Sequence, residues 1–186
     1  MCQSVLRNPA FFALLLRVDQ DRAAAVRSRG CTHCGGPLHQ SNYERKPNGG
    51  PVCDTADTSR LSFCCGHCRL RCTPESVRFL GRRVYWGVVV LLATALCSGL
   101  NLRRGQRLSE QLGVPVRTIL RWREWWLTGF PASPLWLDLS GRFLPPIVAK
   151  DLPGALLCRA VAADEVSTLA AVMRWLAPLS TITESR

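Results

Sequence analysis

The spacing of apolar and polar positions divides the 186-residue chain into segments of different character. Residues 9 to 28, PAFFALLLRVDQDRAAAVRS, read as a helix with Asn8 as N-cap, Pro9 at the first helical position and Gly30 ending it. From 31 to 76 the helical period disappears among Cys, Gly, Pro and short polar runs, which predicts a loop-and-hairpin module. Residues 77 to 129 predict helix again: an apolar helix, a polar break at NLRRGQ, and two short amphipathic helices. FPASP then interrupts the pattern, and LPP and LPG turns follow. One further helix is expected from Asp164 to Leu176, with Leu169, Val172, Met173 and Leu176 on one face. The expected segments are therefore 1–29, 30–76, 77–130 and 131–186.

The run VYWGVVVLLATALCSGL, residues 84–100, has no charged residue and arginines at both ends. A membrane-anchored protein is one reading of it. Its 17 residues are short for a span, and Gly87, Thr94, Ser98 and Gly99 interrupt it, so a buried core helix is the expectation.

Charge adds a partner to this picture. There are 24 Lys and Arg against 13 Asp and Glu, a formal +11, and only Lys46 and Lys150 are lysines. The planar guanidinium suits phosphates and base edges, so the surface favours a polyanion. A GC-rich genome explains much of the Arg-over-Lys ratio but not the net charge. The N-terminus lacks the pattern of a secretory signal, so a reducing cytoplasm is expected, where clustered cysteines serve as metal ligands.

Of ten cysteines, Cys31 and Cys34 form one C-x-x-C turn, followed by Gly35 and Gly36. FCCGHCRLRCT, residues 63–73, must supply the second pair. Cys65 and Cys68 have the matching spacing, whereas Cys64–Cys68 and Cys68–Cys72 are one residue too wide. If Phe63 starts a strand, Cys64 and Cys65 point to opposite faces and only one reaches the metal. The expected site is one structural Zn²⁺ held by Cys31, Cys34, Cys65 and Cys68. Cys53, Cys64, Cys72 and His39 remain alternative ligands. His33 and His67 are expected at the surface or behind the ligands, and Cys2, Cys97 and Cys158 as small apolar fillers. The 30 residues between the pairs leave room for a hairpin arm turning at Asn48-Gly49-Gly50. No catalytic grouping accompanies the module's acids, Glu44, Asp54, Asp57 and Glu75, so the chain is expected not to be an enzyme.

QRLSEQLGVPVRTILRWREW, residues 106–125, follows helix-turn-helix grammar. Leu108, Leu112, Val114, Ile119 and Trp122 would face the core, Gly113 would make the turn, and Pro115 would start the second helix. Trp122 and one of Trp125 and Trp126 would pack on the apolar helix. The exposed face would then carry Val116, Arg117, Leu120, Arg121 and Glu124. Arg117, Thr118 and Arg121 are placed to meet a DNA groove, with Arg123, Arg103, Arg104 and Arg107 suited to phosphates. The fold class is thus α+β, mostly α: a small zinc-ribbon β-hairpin module, a three-helix helix-turn-helix domain and a helical C-terminal tail.

Phe63, Cys65, Cys68, Arg71 and Thr73 match the pattern aromatic-x-C-x-x-C-x-x-R-[FC]-T. With the helix-turn-helix, this resembles the DNA-binding part of bacterial insertion-sequence transposases and their small accessory proteins. The resemblance implies recognition of element ends in double-stranded DNA; separately, Arg69 and Arg71, between and after the cysteines, are the ribbon arginines expected to bind it. A transposase or a second copy of the chain are the protein partners it allows, in the cytoplasm at the nucleoid. In that family three carboxylates in another domain perform catalysis. After residue 130 the only acids are Asp138, Asp151, Asp164, Glu165 and Glu184, so no such domain is expected here. A transcription regulator unrelated to transposition would use the same physics.

Overall fold

The computed structural model describes residues 5–49, 58–81, 85–96, 102–160 and 162–181. Helix α1 (Pro9–Arg29) begins where Asn8 accepts a hydrogen bond from the Ala10 N–H, and it ends at Gly30, whose φ of 78° suits glycine. The chain then enters five short strands: β1 (Leu38–Gln40), β2 (Tyr43–Glu44), β3 (Ser59–Arg60), β4 (Phe63–Cys65) and β5 (Arg71–Cys72). An antiparallel sheet runs β1-β4-β5, and β2 pairs separately with β3. The module's own small core gathers Cys31, Leu38, Phe63 and Cys65 against Ala23 of α1.

Seven α-helices lie among the described residues. Beyond α1 these are α2 (Gly87–Ala95), α3 (Leu102–Leu112), α4 (Val116–Leu127), α5 (Pro134–Ser140), α6 (Gly154–Arg159) and α7 (Glu165–Leu176). The architecture is α+β and mostly helical, with small sheets.

Every residue from Gly87 to Thr94 is buried, so α2 is a core helix. Its 9 residues span only about 13 Å at 1.5 Å per residue. No helix among the described residues is long and apolar enough to cross a membrane. The apolar run is also not helical from its start: Tyr85 bridges Asn48 and Trp86 bridges Phe79 as extended chain. Residues 84 and 97–100 of that run lie outside the described residues, as do Cys2, Cys53, Asp54, Asp57 and Gly50.

Two sequence expectations shift. The NLRRGQ break is helical from Leu102, because Leu, Arg and Gln favour helix and only Gly105 opposes it. Of the arm between β2 and β3, the described residues Asn48 and Gly49 pack against the chain at 86–89. Asn48 O accepts from the Trp86 N–H at 3.4 Å, and a side chain at Gly49 (φ 84°) would meet Val89 Cγ1 at 2.9 Å. Gly49 is seated on Val89 of α2, its lack of a side chain permitting both the positive φ and the close approach.

The 131–176 region is not an appendage. Phe130 is buried, and its ring lies 4.7 Å from that of Trp126 and 5.3 Å from that of Trp136. Phe143 contacts Trp136 and Trp175 in turn, so α4, α5 and α7 share one aromatic seam. Asp164 caps α7 by accepting from the Ser167 N–H, and Leu169, Val172, Met173 and Leu176 are buried on its inner face. Phe11, Phe12 and Leu15 of α1 join this same core.

Candidate metal centre and basic helix pair

The thiols of Cys31, Cys34, Cys65 and Cys68 lie within 4.8 Å of one another. The Cys34 and Cys65 sulfurs are 3.5 Å apart and those of Cys31 and Cys68 3.6 Å apart. A tetrahedral zinc with Zn–S bonds of about 2.3 Å needs S–S edges of about 3.8 Å. The grouping therefore fits a metal ion of that size and is compatible with zinc.

Two turns of similar build deliver the sulfurs. In the first, Gly35 N–H donates to Cys31 O and the Cys31 N–H to Gly36 O. In the second, Arg69 N–H donates to Cys65 O and Cys65 N–H to Leu70 O. The residue after the second cysteine is left-handed in both, with φ of 69° at Gly35 and 62° at Arg69. For arginine that conformation costs about 1–2 kcal/mol. Register joins the turns, since Leu38 opposite Cys65 links the chain after the first to the strand before the second.

The strand β4 sorts its cysteines as the pleat requires. Cys65 is fully buried toward the cluster, whereas Cys64 shares the opposite face with its cross-strand partners His39 and Arg71. The Cys64 thiol donates to the Arg69 carbonyl at 3.4 Å. Cys72 is half-buried in the outgoing strand. His33 and His67 are exposed, and the His67 imidazole covers Gly36, where a Cβ would come within 2.7 Å of Nδ1 and 3.1 Å of Cys65 Sγ. His39 packs beside Gly66 and is absent from the metal grouping.

The turn N–H groups bias the sulfurs toward thiolate. The backbone N–H groups of Cys34 and then His33 hold the Cys31 thiol below its ordinary value. Cys65 falls to about 6, chiefly through the Cys68 N–H, against the opposing effect of burial. At Cys68 the Leu70 N–H also pulls downward, but burial and the sulfurs of Cys34, Cys65 and Cys31 outweigh it and push the thiol to about 12. The raised Cys68 thiol opposes full ionisation of the grouping near neutral pH, an opposition that a cation among the sulfurs would relieve.

The second candidate feature is the pair α3 and α4, joined at Gly113 (φ 61°). Leu108, Val114, Ile119 and Trp122 are buried, and Leu112 packs against the core. Pro115 precedes α4 as its N-cap, its carbonyl accepting from Thr118 and Ile119. Trp122 meets Tyr85 edge-on at 4.9 Å, Trp126 is buried and Trp125 is half-buried. Arg117, Leu120, Arg121 and Glu124 are exposed, Val116, Thr118 and Arg123 half-buried, and Arg107 exposed on α3. Arg103 and Arg104 fall on the first turn of α3, but their side chains lie outside the described residues. In the module Arg69 is exposed. Arg71 is tied down, donating to Ser41 O and Ser62 Oγ with its guanidinium over the Tyr43 ring.

Sequence reasoning missed a buried polar centre. Asp19 accepts from the Val77 N–H, the Ser76 hydroxyl and Arg78 Nε, while Arg60 donates to Pro74 O. The signal was available in α1, where Leu15, Asp19 and Ala23 fall four apart on one buried stripe. Comparison with protein-family models, curated proteins and solved structures yields no match to this chain.

Proposed function

We propose that this chain is a non-catalytic, sequence-specific binder of double-stranded DNA, stabilised by one structural zinc and associated with a mobile element. The observation that carries this reading is the division of α4. Ile119 and Trp122 are buried while Arg117 and Arg121, one turn apart, are exposed on the outer side. Neither arginine has an ion-pair partner among the described residues. A second helix held by a glycine turn and offering two free arginines near its start suits a major groove, where a guanidinium can bond both O6 and N7 of guanine. The net charge of +11 supplies attraction to phosphates regardless of sequence. Four thiolates complete a tetrahedral zinc without an open position, which fits a structural ion. The mobile-element association rests on the resemblance of the second cysteine turn and the helix pair to insertion-sequence proteins.

The test is selection of duplexes from a random library by the zinc-loaded protein, followed by binding to the selected duplex across a salt series. An enriched motif and affinity falling steeply with salt are expected. No enrichment, or a flat salt response, would defeat the reading.

A further inference from the structure

The two cysteine turns differ at one equivalent position. After Cys34 the left-handed residue is Gly35; after Cys68 it is Arg69, with φ of 62°, the one non-glycine residue with positive φ among the described residues. A glycine there would adopt the same backbone without strain, as the first turn demonstrates. The arginine makes no side-chain hydrogen bond or ion pair among the described residues, and it is exposed. Its backbone contributes what any residue would, an N–H to Cys65 O and a carbonyl to the Cys64 thiol. Nothing within the fold uses the guanidinium, yet the fold bears its backbone strain. Strain of this kind accumulates where a side chain is used for something other than folding.

A second arginine, Arg29, leads from the end of α1 into the first cysteine turn. Cys31 and Cys68 have their sulfurs 3.6 Å apart, and Arg29 lies two residues before Cys31 as Arg69 lies one after Cys68. The last turns of α1 are fixed against the module through Ala23 and Val26. Arg29 is exposed there, its Nε donating to Ala25 O and its terminal nitrogens turned to no acid among the described residues. Glu75, the acid nearest to Arg69 in sequence, is already paired with Arg22 at 2.7 Å.

We propose that Arg69 and Arg29 form a sequence-independent phosphate clamp on the four-cysteine module, by which it grips the DNA backbone while α4 reads bases. This rests on the DNA-binding reading above and adds to it a contact that carries no sequence information. The competing role is internal: a zinc tetrathiolate is anionic overall, and two arginines beside it would offset that charge.

Arg69→Gly and Arg69→Ala separate these roles, measured beside Arg29→Ala and Arg117→Ala in the full zinc-loaded chain. The probes are the selected duplex and a duplex of unrelated sequence. Arg69→Gly is expected to raise the melting temperature by relieving the left-handed strain, while Arg69→Ala is not. Both should retain one zinc against a chelator. Both, and Arg29→Ala, should weaken binding to the two duplexes by equal factors and reduce the log–log salt slope by about 0.9 per lost contact. If Arg69→Gly binds both duplexes as the parent does, or if it loses zinc instead, the clamp is wrong. If Arg117→Ala weakens the selected duplex while the Arg69 variants do not, the clamp alone falls. If the Arg69 variants weaken both duplexes and Arg117→Ala neither, the clamp stands and the reading of α4 falls. A parent protein that binds neither duplex overturns both.

Discussion

Arg78 donates from Nε to Oδ2 of Asp19 at 2.7 Å, with both side chains sealed from solvent. The pair fastens α1 to the chain leaving the cysteine module. The Val77 N–H and the Ser76 hydroxyl donate to the same carboxylate, and the Arg78 guanidinium also reaches Ser59 O and lies over the Phe79 ring. A buried charge so fully bonded is tolerated; one stripped of its partner is not. Asp19→Ala should therefore cost about 3–5 kcal/mol, read as a lower urea midpoint. A loss within that of an ordinary surface substitution would show the centre to be dispensable.

The two adjacent cysteines of β4 should behave oppositely. Cys65→Ser or Cys68→Ser should abolish stoichiometric zinc by metal analysis, whereas Cys64→Ser should keep one zinc per chain. The Cys64 thiol faces the Arg69 carbonyl, away from the cluster. Zinc loss on changing Cys64 would refute the assignment of faces.

Gly36 is a steric requirement rather than a flexible joint. A methyl there would press on the His67 imidazole and on Cys65 Sγ together. Gly36→Ala should weaken zinc retention about 10-fold in chelator competition, the scale seen when support around a metal ligand is disturbed. Gly35→Ala meets no neighbour within 4 Å and should act only through its positive φ, chiefly on stability.

In the metal-free chain the thiols should ionise over a wide range. Ultraviolet thiolate absorbance should show its first step near pH 6, absent in Cys65→Ser, and its last near pH 12. The sign follows from Cys65, whose folded value lies below the ordinary 9.0. Its contribution to stability is present in full above pH 9 and is lost as the pH falls through 6. The raised Cys68 works the other way, its contribution being present below 9 and lost as the pH rises through 12. A single thiolate step near the ordinary value would mean that the sulfurs do not interact.

On α4, Arg117→Ala or Arg121→Ala should relax sequence preference by about 1–3 kcal/mol at one base pair, without changing the fold, since both side chains are exposed. Equal weakening on every duplex would reassign that arginine to phosphate.

Local signals were legible wherever chemistry was local. Asn8, Pro9 and Gly30 bounded α1 because caps and turns act within a few residues. The C-x-x-C spacing and the pleat of β4 selected Cys65 over Cys64 because both rules concern neighbouring residues. The buried side of α4 followed from its period. The start of α3 was misplaced, since one glycine looked like a break and the surrounding helix formers outweighed it.

What the sequence by itself determined, then, was the inventory: one long capped helix, two cysteine turns at ligand spacing, a core helix and a helix pair with a basic outer face. Only the tertiary structure decided how these meet. It brought the two cysteine turns to one point, seated Gly49 on Val89, buried Asp19 against Arg78, and threaded Phe130, Trp136, Phe143 and Trp175 into the core shared by all the helices. It also placed Arg69 in the left-handed conformation that its counterpart Gly35 adopts freely. The reason is physical. Caps, turns and periods are set by interactions between near neighbours, whereas burial, ion pairing and shared sulfur contacts depend on residues tens of positions apart, whose meeting no local pattern encodes.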